Sequence, residues 1–168
     1  MLRISSAVGL KAPELTYNIA SGRLTGFVDG VSISASAGSG GRAGSKTADA
    51  LNWWLANNPL ATGIKLSSDK SRPGGPLPMG EYRVVLHETR QNWLRLIPRN
   101  EAAMHGRSGM AIHGRGARGS DGCIVPTDFA VVSQLCQLVG KRAAAGGPDI
   151  ALEVVAIGQD LDRQNRTA

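Results

Sequence analysis

His113 and Cys123 are the residues of this chain whose types and spacing best suit nucleophilic chemistry, and four of the nine residues between them are glycine. Glycine admits backbone regions that other residues avoid, so such a loop can double back and set the imidazole against the thiol. A thiolate attacks carbonyls where a thiol does not, and a neighbouring imidazole draws the ordinary cysteine pKa of about 8.5 into the working range. Cys123 is then the nucleophile and His113 its base. Ser120, Asp121 and Gly122 immediately precede the cysteine. Their backbone N–H groups offer an oxyanion hole, with Gly122 letting the main chain approach a reacting carbonyl and Gly114 helping to position the loop.

Other readings of the same residues are weaker. The run lacks the G-x-x-x-x-G-K-[ST] order and the lysine of a phosphate-binding loop. One cysteine and one histidine supply two ligands where a structural zinc site needs four, so no metal and no cofactor are expected. Papain-like and NlpC-type cysteine peptidases place the cysteine before the histidine along the chain, and here that order is reversed. A reading from another class is a non-catalytic basic module that binds glycan or nucleic acid through its arginines. It lacks interleaved exposed aromatics and any nucleic-acid motif, so no nucleic-acid partner is expected.

The elements that must carry this pair follow from composition and pattern. The chain has 168 residues, enough for one sizeable core but not two. Its 22 glycines and only seven aromatic residues (Phe, Trp and Tyr together) point to turns and β structure and away from a helical bundle. Nineteen cations against thirteen acids leave +6, and 14 of the 19 are arginine. That balance suits nucleic acid, an acidic membrane face or an anionic polymer such as peptidoglycan, and composition does not choose among them. Two cysteines are too few for a disulfide framework, and Cys136 sits in an apolar helical pattern. No apolar run is long enough to span a membrane, and Met1–Leu10 does not resemble a secretory leader, which predicts a chain made in the cytoplasm without a general export signal.

Along the chain, Leu15–Ile19, Leu24–Val28 and Val31–Ser36 read as strands, the last two joined by an Asp29-Gly30 hairpin turn. Ala37–Ser45 is rich in small residues and reads as a mobile loop, a linker or a lid, and Ser67–Gly75 as a second turn-rich segment able to cover a cleft. Thr47–Asn57 has helical character with Leu51, Trp54 and Leu55 on one face. Tyr82–His87 and Trp93–Ile97 form a predicted strand pair, and Gly109–His113 a further strand. Thr127 would cap a helix whose Phe129, Val132, Leu135, Cys136 and Val139 face the core, and Ile150–Ile157 is the final strand. Residues 1–158 make one domain and 159–168 a charged tail.

Two motifs bring a family into view. Ile112-His113-Gly114 followed by Ser120-Asp121-Gly122-Cys123-Ile124 resembles the H-G…[ST]-x-G-C-[IV] signature of the YkuD-type L,D-transpeptidases. Gly75-Pro76-Leu77-Pro78-Met79-Gly80-Glu81-Tyr82 resembles the P-x-G-x-[FY] element that precedes a core strand in those enzymes. The short His-to-Cys spacing and the Leu15-Thr16-Tyr17…Ser21-Gly22-Arg23-Leu24 opening are most similar to the type VI secretion L,D-transpeptidase effectors. The resemblance spans roughly residues 14–157 and implies a mainly β, α+β fold, a compact sandwich or barrel with one or two peripheral helices. It implies a Cys123 and His113 catalytic pair that trims or exchanges the terminal D-alanine of peptidoglycan tetrapeptide stems. It also implies a toxin delivered by a secretion system into the periplasm of a competing bacterium, and a cognate immunity protein. The family's arginine after C-[IV] is replaced here, since Val125 and Pro126 follow Ile124. Arg115 and Arg118 in the loop, with Tyr82, are the candidate contacts to the acidic stem.

Overall fold

The computed structural model describes residues 12–41, 50–114 and 120–158. Among these described residues, eight strands form a closed barrel: β1 (Leu15–Asn18), β2 (Arg23–Val28), β3 (Val31–Ser39), β4 (Gly80–Leu86), β5 (Trp93–Pro98), β6 (Ala111–His113), β7 (Ile124–Pro126) and β8 (Ile150–Val155). Their order around the wall is β1-β2-β3-β7-β6-β5-β4-β8, with β8 returning to β1. The fold is mainly β, and the same residues hold two α-helices, α1 (Ala50–Leu55) and α2 (Phe129–Ala144). Most neighbours are antiparallel, but β1 pairs with β8, and β6 with β7, in parallel.

The barrel follows from two-residue alternation. In β3 the buried positions are Ile33, Ala35, Ala37 and Ser39, every second residue, so one side of the strand meets the core and the other meets solvent. Leu15, Tyr17, Leu24, Val84, Leu94, Ile112, Ile124 and Leu152 fill the interior, all fully buried. Each such aliphatic side chain contributes about 1.5–3 kcal/mol by leaving water. Asp29 and Gly30 both take positive φ, 48° and 83°, the conformation of a tight hairpin turn whose twist matches the strands it joins.

Several boundaries move. Ala37–Ser39 is not loop but the end of β3, paired with Pro126, Val125 and Ile124 of β7. Its small side chains carry little hydrophobic signal, yet the ladder needs only backbone and a slim inward face. Residues 42–45 of that expected loop, and the 159–168 tail, lie outside the described residues. Of the expected Thr47–Asn57 helix, Ala50–Leu55 is helical, and it buries Asn52 and Leu55 while Leu51 and Trp54 are exposed. Asp128, not Thr127, caps α2 by accepting the Ala130 N–H at 3.0 Å, and the one-residue shift leaves Phe129 exposed while Val132, Leu135, Leu138 and Val139 are buried. Pro73–Pro78 is buried throughout, so the Ser67–Gly75 segment is pinned at its second end. Among the described residues no helix is long and apolar enough to cross a membrane.

Candidate active site

The site is built on β6 and β7. Ile112 lies opposite Ile124 across the parallel pair, which sets Ala111 level with Cys123, and His113 level with Val125. Side chains alternate faces along a strand, so His113 points away from the core side that holds Ile112, while Cys123 lies in the bend immediately before β7. They sit diagonally, two residues apart along the strand direction and one strand over. With ordinary strand spacing their Cα atoms lie about 8 Å apart, within the reach of an aromatic side chain.

The histidine is held by a stacked ring and a backbone carbonyl. His113 is opposite Trp93 in the β5–β6 pairing, and the two rings stack with centroids 4.1 Å apart and planes 6° from parallel. The guanidinium of Arg90 lies over the Trp93 ring, 4.6 Å from its centroid, a cation–π contact. His113 Nδ1 lies 2.6 Å from the Gly114 carbonyl oxygen. A carbonyl only accepts, so Nδ1 carries the proton and the basic lone pair is on Nε2. Burial pushes the imidazole below its usual pKa, the Gly114 hydrogen bond pulls the other way, and the positive charge of Arg90 again lowers it. The ring is therefore neutral at pH 7.

The cysteine sits in a tightly folded turn. The Ser120 hydroxyl donates to the Cys123 carbonyl at 2.5 Å and accepts the Gly122 N–H at 3.1 Å. Asp121 Oδ1 accepts the Gly74 N–H at 3.2 Å. The Cys123 thiol is partly buried and approaches the Gly109 carbonyl at 4.0 Å. Burial raises its pKa to about 11; a backbone hydrogen bond from Ala111 opposes this, Asp121 reinforces it and Arg107 opposes it. The resting pair is thus neutral thiol and neutral imidazole.

Arg107, 7% exposed, organises this turn. Its Nη1 donates to the Thr62 carbonyl and, at 2.7 Å, to that of Pro76; its Nη2 donates to Gly75 at 2.7 Å and to Asp121 at 2.9 Å. One side chain thereby ties the buried 73–78 segment to the residues before Cys123. Gly122 has φ +138°, and a Cβ there would come within 2.4 Å of Arg107 Nη2, so both backbone and space demand glycine. Fully buried Ser39 completes the frame: its hydroxyl donates to the Gly122 carbonyl at 3.0 Å and accepts the Leu77 N–H at 2.9 Å.

Three expectations change. The Cys123 thiol is not drawn into the working range by the imidazole, because burial raises it to about 11. Tyr82 is 1% exposed, its hydroxyl donating to the Pro78 carbonyl at 2.6 Å; it points into the barrel and is a core residue rather than a contact to substrate. The Gly122 N–H, expected in an oxyanion hole, is engaged by Ser120 because the serine folds back over its own turn. Arg115 and Arg118 lie outside the described residues. Trp93, Arg90, Arg107 and Ser39 carried no motif. Only Trp93 had a usable signal, since pairing Trp93–Ile97 with Gly109–His113 as antiparallel strands puts the indole level with the histidine. No protein-family model matches the chain, and no curated protein matches it significantly.

Proposed function

We propose that this protein is a cysteine L,D-transpeptidase or L,D-carboxypeptidase that acts on peptidoglycan tetrapeptide stems, with Cys123 as nucleophile and His113 as its acid and base. The observation that supports the reading is the register of β6 and β7, in which Ile112 lies opposite Ile124, so that His113 and Cys123 flank that pair on neighbouring backbones, diagonal to each other. As Cys123 Sγ attacks the carbonyl of the third stem residue, its proton passes to His113 Nε2 and a carbon–sulfur bond forms. The tetrahedral intermediate collapses with cleavage of the carbon–nitrogen bond, and the imidazolium returns the proton to the departing D-alanine amine. The thioester is then opened by water, giving the tripeptide, or by the amine of a D-amino acid or a second stem, giving exchange or a cross-link. Because thiol and imidazole are both neutral at rest, the proton moves during the attack. The thiol is quiet until a carbonyl is presented.

The signature resemblance extends the proposal to an antibacterial effector exported by a secretion system, acting in the periplasm of a rival cell and neutralised in its producer by an immunity protein. The net positive charge suits an anionic wall polymer. The deciding experiment incubates the protein with purified disaccharide tetrapeptides and follows products by mass spectrometry. Tripeptide, or a stem with its terminal D-alanine replaced, is expected from the wild type and is lost in Cys123→Ala. A Cys123→Ala protein as active as the wild type removes the nucleophile from the scheme.

A further inference from the structure

Ten large hydrophobic residues stand exposed among the described residues, and five of them, Leu51, Trp53, Trp54, Leu60 and Ile64, fall on α1 and on the 3-10 turn at Pro59–Ala61 with the residues just after it. The other five are spread along the chain. Trp53 is 75% exposed, Trp54 52% and Leu60 89%. Successive helix residues advance by about 100°, and α1 buries Asn52 and Leu55, so the direction opposite its buried side falls between Trp53 and Trp54. Two indoles therefore face outward side by side. Single exposed apolar residues are ordinary, but a cluster marks a surface that something covers. On one flank Leu51, Leu55 and Ile64 line a groove of about 380 Å³ together with Lys65 and Arg72. Residues 50–79 carry three cations, Lys65, Lys70 and Arg72, against one acid, Asp69. That carboxylate is taken up by its own loop, accepting from the Ser67 hydroxyl at 2.8 Å and from the Ser71 N–H and hydroxyl at 3.0 and 2.7 Å. The face is apolar at its crest and positive at its edge.

We propose that this face docks on the surface of an anionic phospholipid bilayer, with Trp53 and Trp54 at the headgroup level, Leu60 reaching the acyl boundary, and Lys65 and Arg72 meeting lipid phosphates. Indole suits that boundary because it is apolar over most of its area and carries one N–H donor. Fluid lipid accepts protruding rings without a matching pocket, whereas a protein partner must supply one for each ring. A second copy related by a twofold axis would set the positive edge against itself. Thr62, directly after the 3-10 turn, gives its carbonyl to Arg107, which also holds the carbonyl of Asp121, so the docked face is fastened to the Cys123 turn. Docking itself asks nothing of the thiol.

The test mixes the protein with phosphatidylcholine vesicles and with mixed phosphatidylcholine and phosphatidylglycerol vesicles, and follows tryptophan emission and co-sedimentation. Blue-shifted emission and sedimentation with the anionic vesicles, weakened by added salt, are expected. Trp53→Ser combined with Trp54→Ser should lower partitioning by about tenfold or more. Lys65→Gln and Arg72→Gln should each lower it about fivefold on anionic vesicles and leave phosphatidylcholine binding unchanged. All four side chains are exposed, and an unchanged melting temperature separates loss of docking from loss of fold. Cys123→Ala should bind vesicles as the wild type does, so docking and D-alanine release succeed or fail independently. Equal binding to the two vesicle types, or binding that survives the paired tryptophan substitution, overturns the proposal. No binding to either type also overturns it and leaves the face to a protein partner. A dimer in sedimentation equilibrium that the paired substitution dissolves would assign the face to a second copy instead. Indoles that acrylamide cannot reach in the free protein would show that another part of the chain covers them, and would overturn it as well.

Discussion

The imidazole is the residue whose surroundings decide the chemistry. In the proposed mechanism protonated His113 cannot take a proton from sulfur, so kcat/KM should fall as pH drops below the ordinary histidine range. Burial and Arg90 hold the ring below its usual value, which places the acid limb under about pH 6.5. Arg90→Gln removes the repulsive charge and should move that limb upward; a limb that stays in place would disconnect Arg90 from the base. Cys123, raised to about 11, should react slowly with iodoacetamide at neutral pH and faster as pH rises toward that value, measured by mass shift over time. Arg107 is a positioning residue that also favours the thiolate. Arg107→Lys keeps charge but not the fork that reaches four carbonyls, so kcat should drop about tenfold or more while the alkylation profile moves little. Arg107→Met should in addition shift the alkylation profile to higher pH, which loss of packing alone would not do.

At the level of elements, the hairpin and the Cys123 turn separate cleanly. Gly30 has φ +83° and nothing within 4 Å of the place a methyl group would occupy, so Gly30→Ala should cost about 1 kcal/mol in thermal unfolding, from backbone strain alone, and leave kcat unchanged. The same elements show what a sequence can disclose. Asp29-Gly30 between two β-like runs, the antiparallel partnership of Tyr82–His87 with Trp93–Ile97, and the apolar stripe of α2 are local patterns, and they were legible because local chemistry determines them. His113 and Cys123 were legible for the same reason, as a spacing and a composition. The end of β3 was not, because Ala37, Gly38 and Ser39 are held by pairing with residues nearly ninety positions later, a partnership no window contains. Arg107 was hidden for the same cause: its role is fixed by carbonyls of Thr62, Gly75, Pro76 and Asp121, which meet only in the folded chain. Tyr82 misled because an aromatic beside a motif looks available until the barrel closes over it.

For the molecule as a whole, the titrating pair sets a pH window of stability. His113 has a lowered folded pKa, so stability is complete above the unfolded value near 6.5 and declines as pH falls below it. Cys123 has a raised one, so stability is complete below 9.0 and declines as pH climbs toward about 11. The melting temperature should therefore be flat between these limits, and His113→Gln should reduce the acid-side decline; an unchanged acid side would show that other groups govern it. Away from the site, Arg142 fastens α2 to the barrel, with bidentate contacts to Glu14 at 2.6 and 2.7 Å and a further one to Asp29 at 2.7 Å. In the circular order β1-β2-β3-β7-β6-β5-β4-β8, the β6–β7 junction lies half a turn from the β1–β8 seam. Fraying that begins at β1 or β8 must pass through at least two intervening strands before it disturbs the histidine or the cysteine. The described chain accordingly enters β1 and leaves β8 on the wall opposite His113 and Cys123, so neither crossing competes for the space in front of that pair.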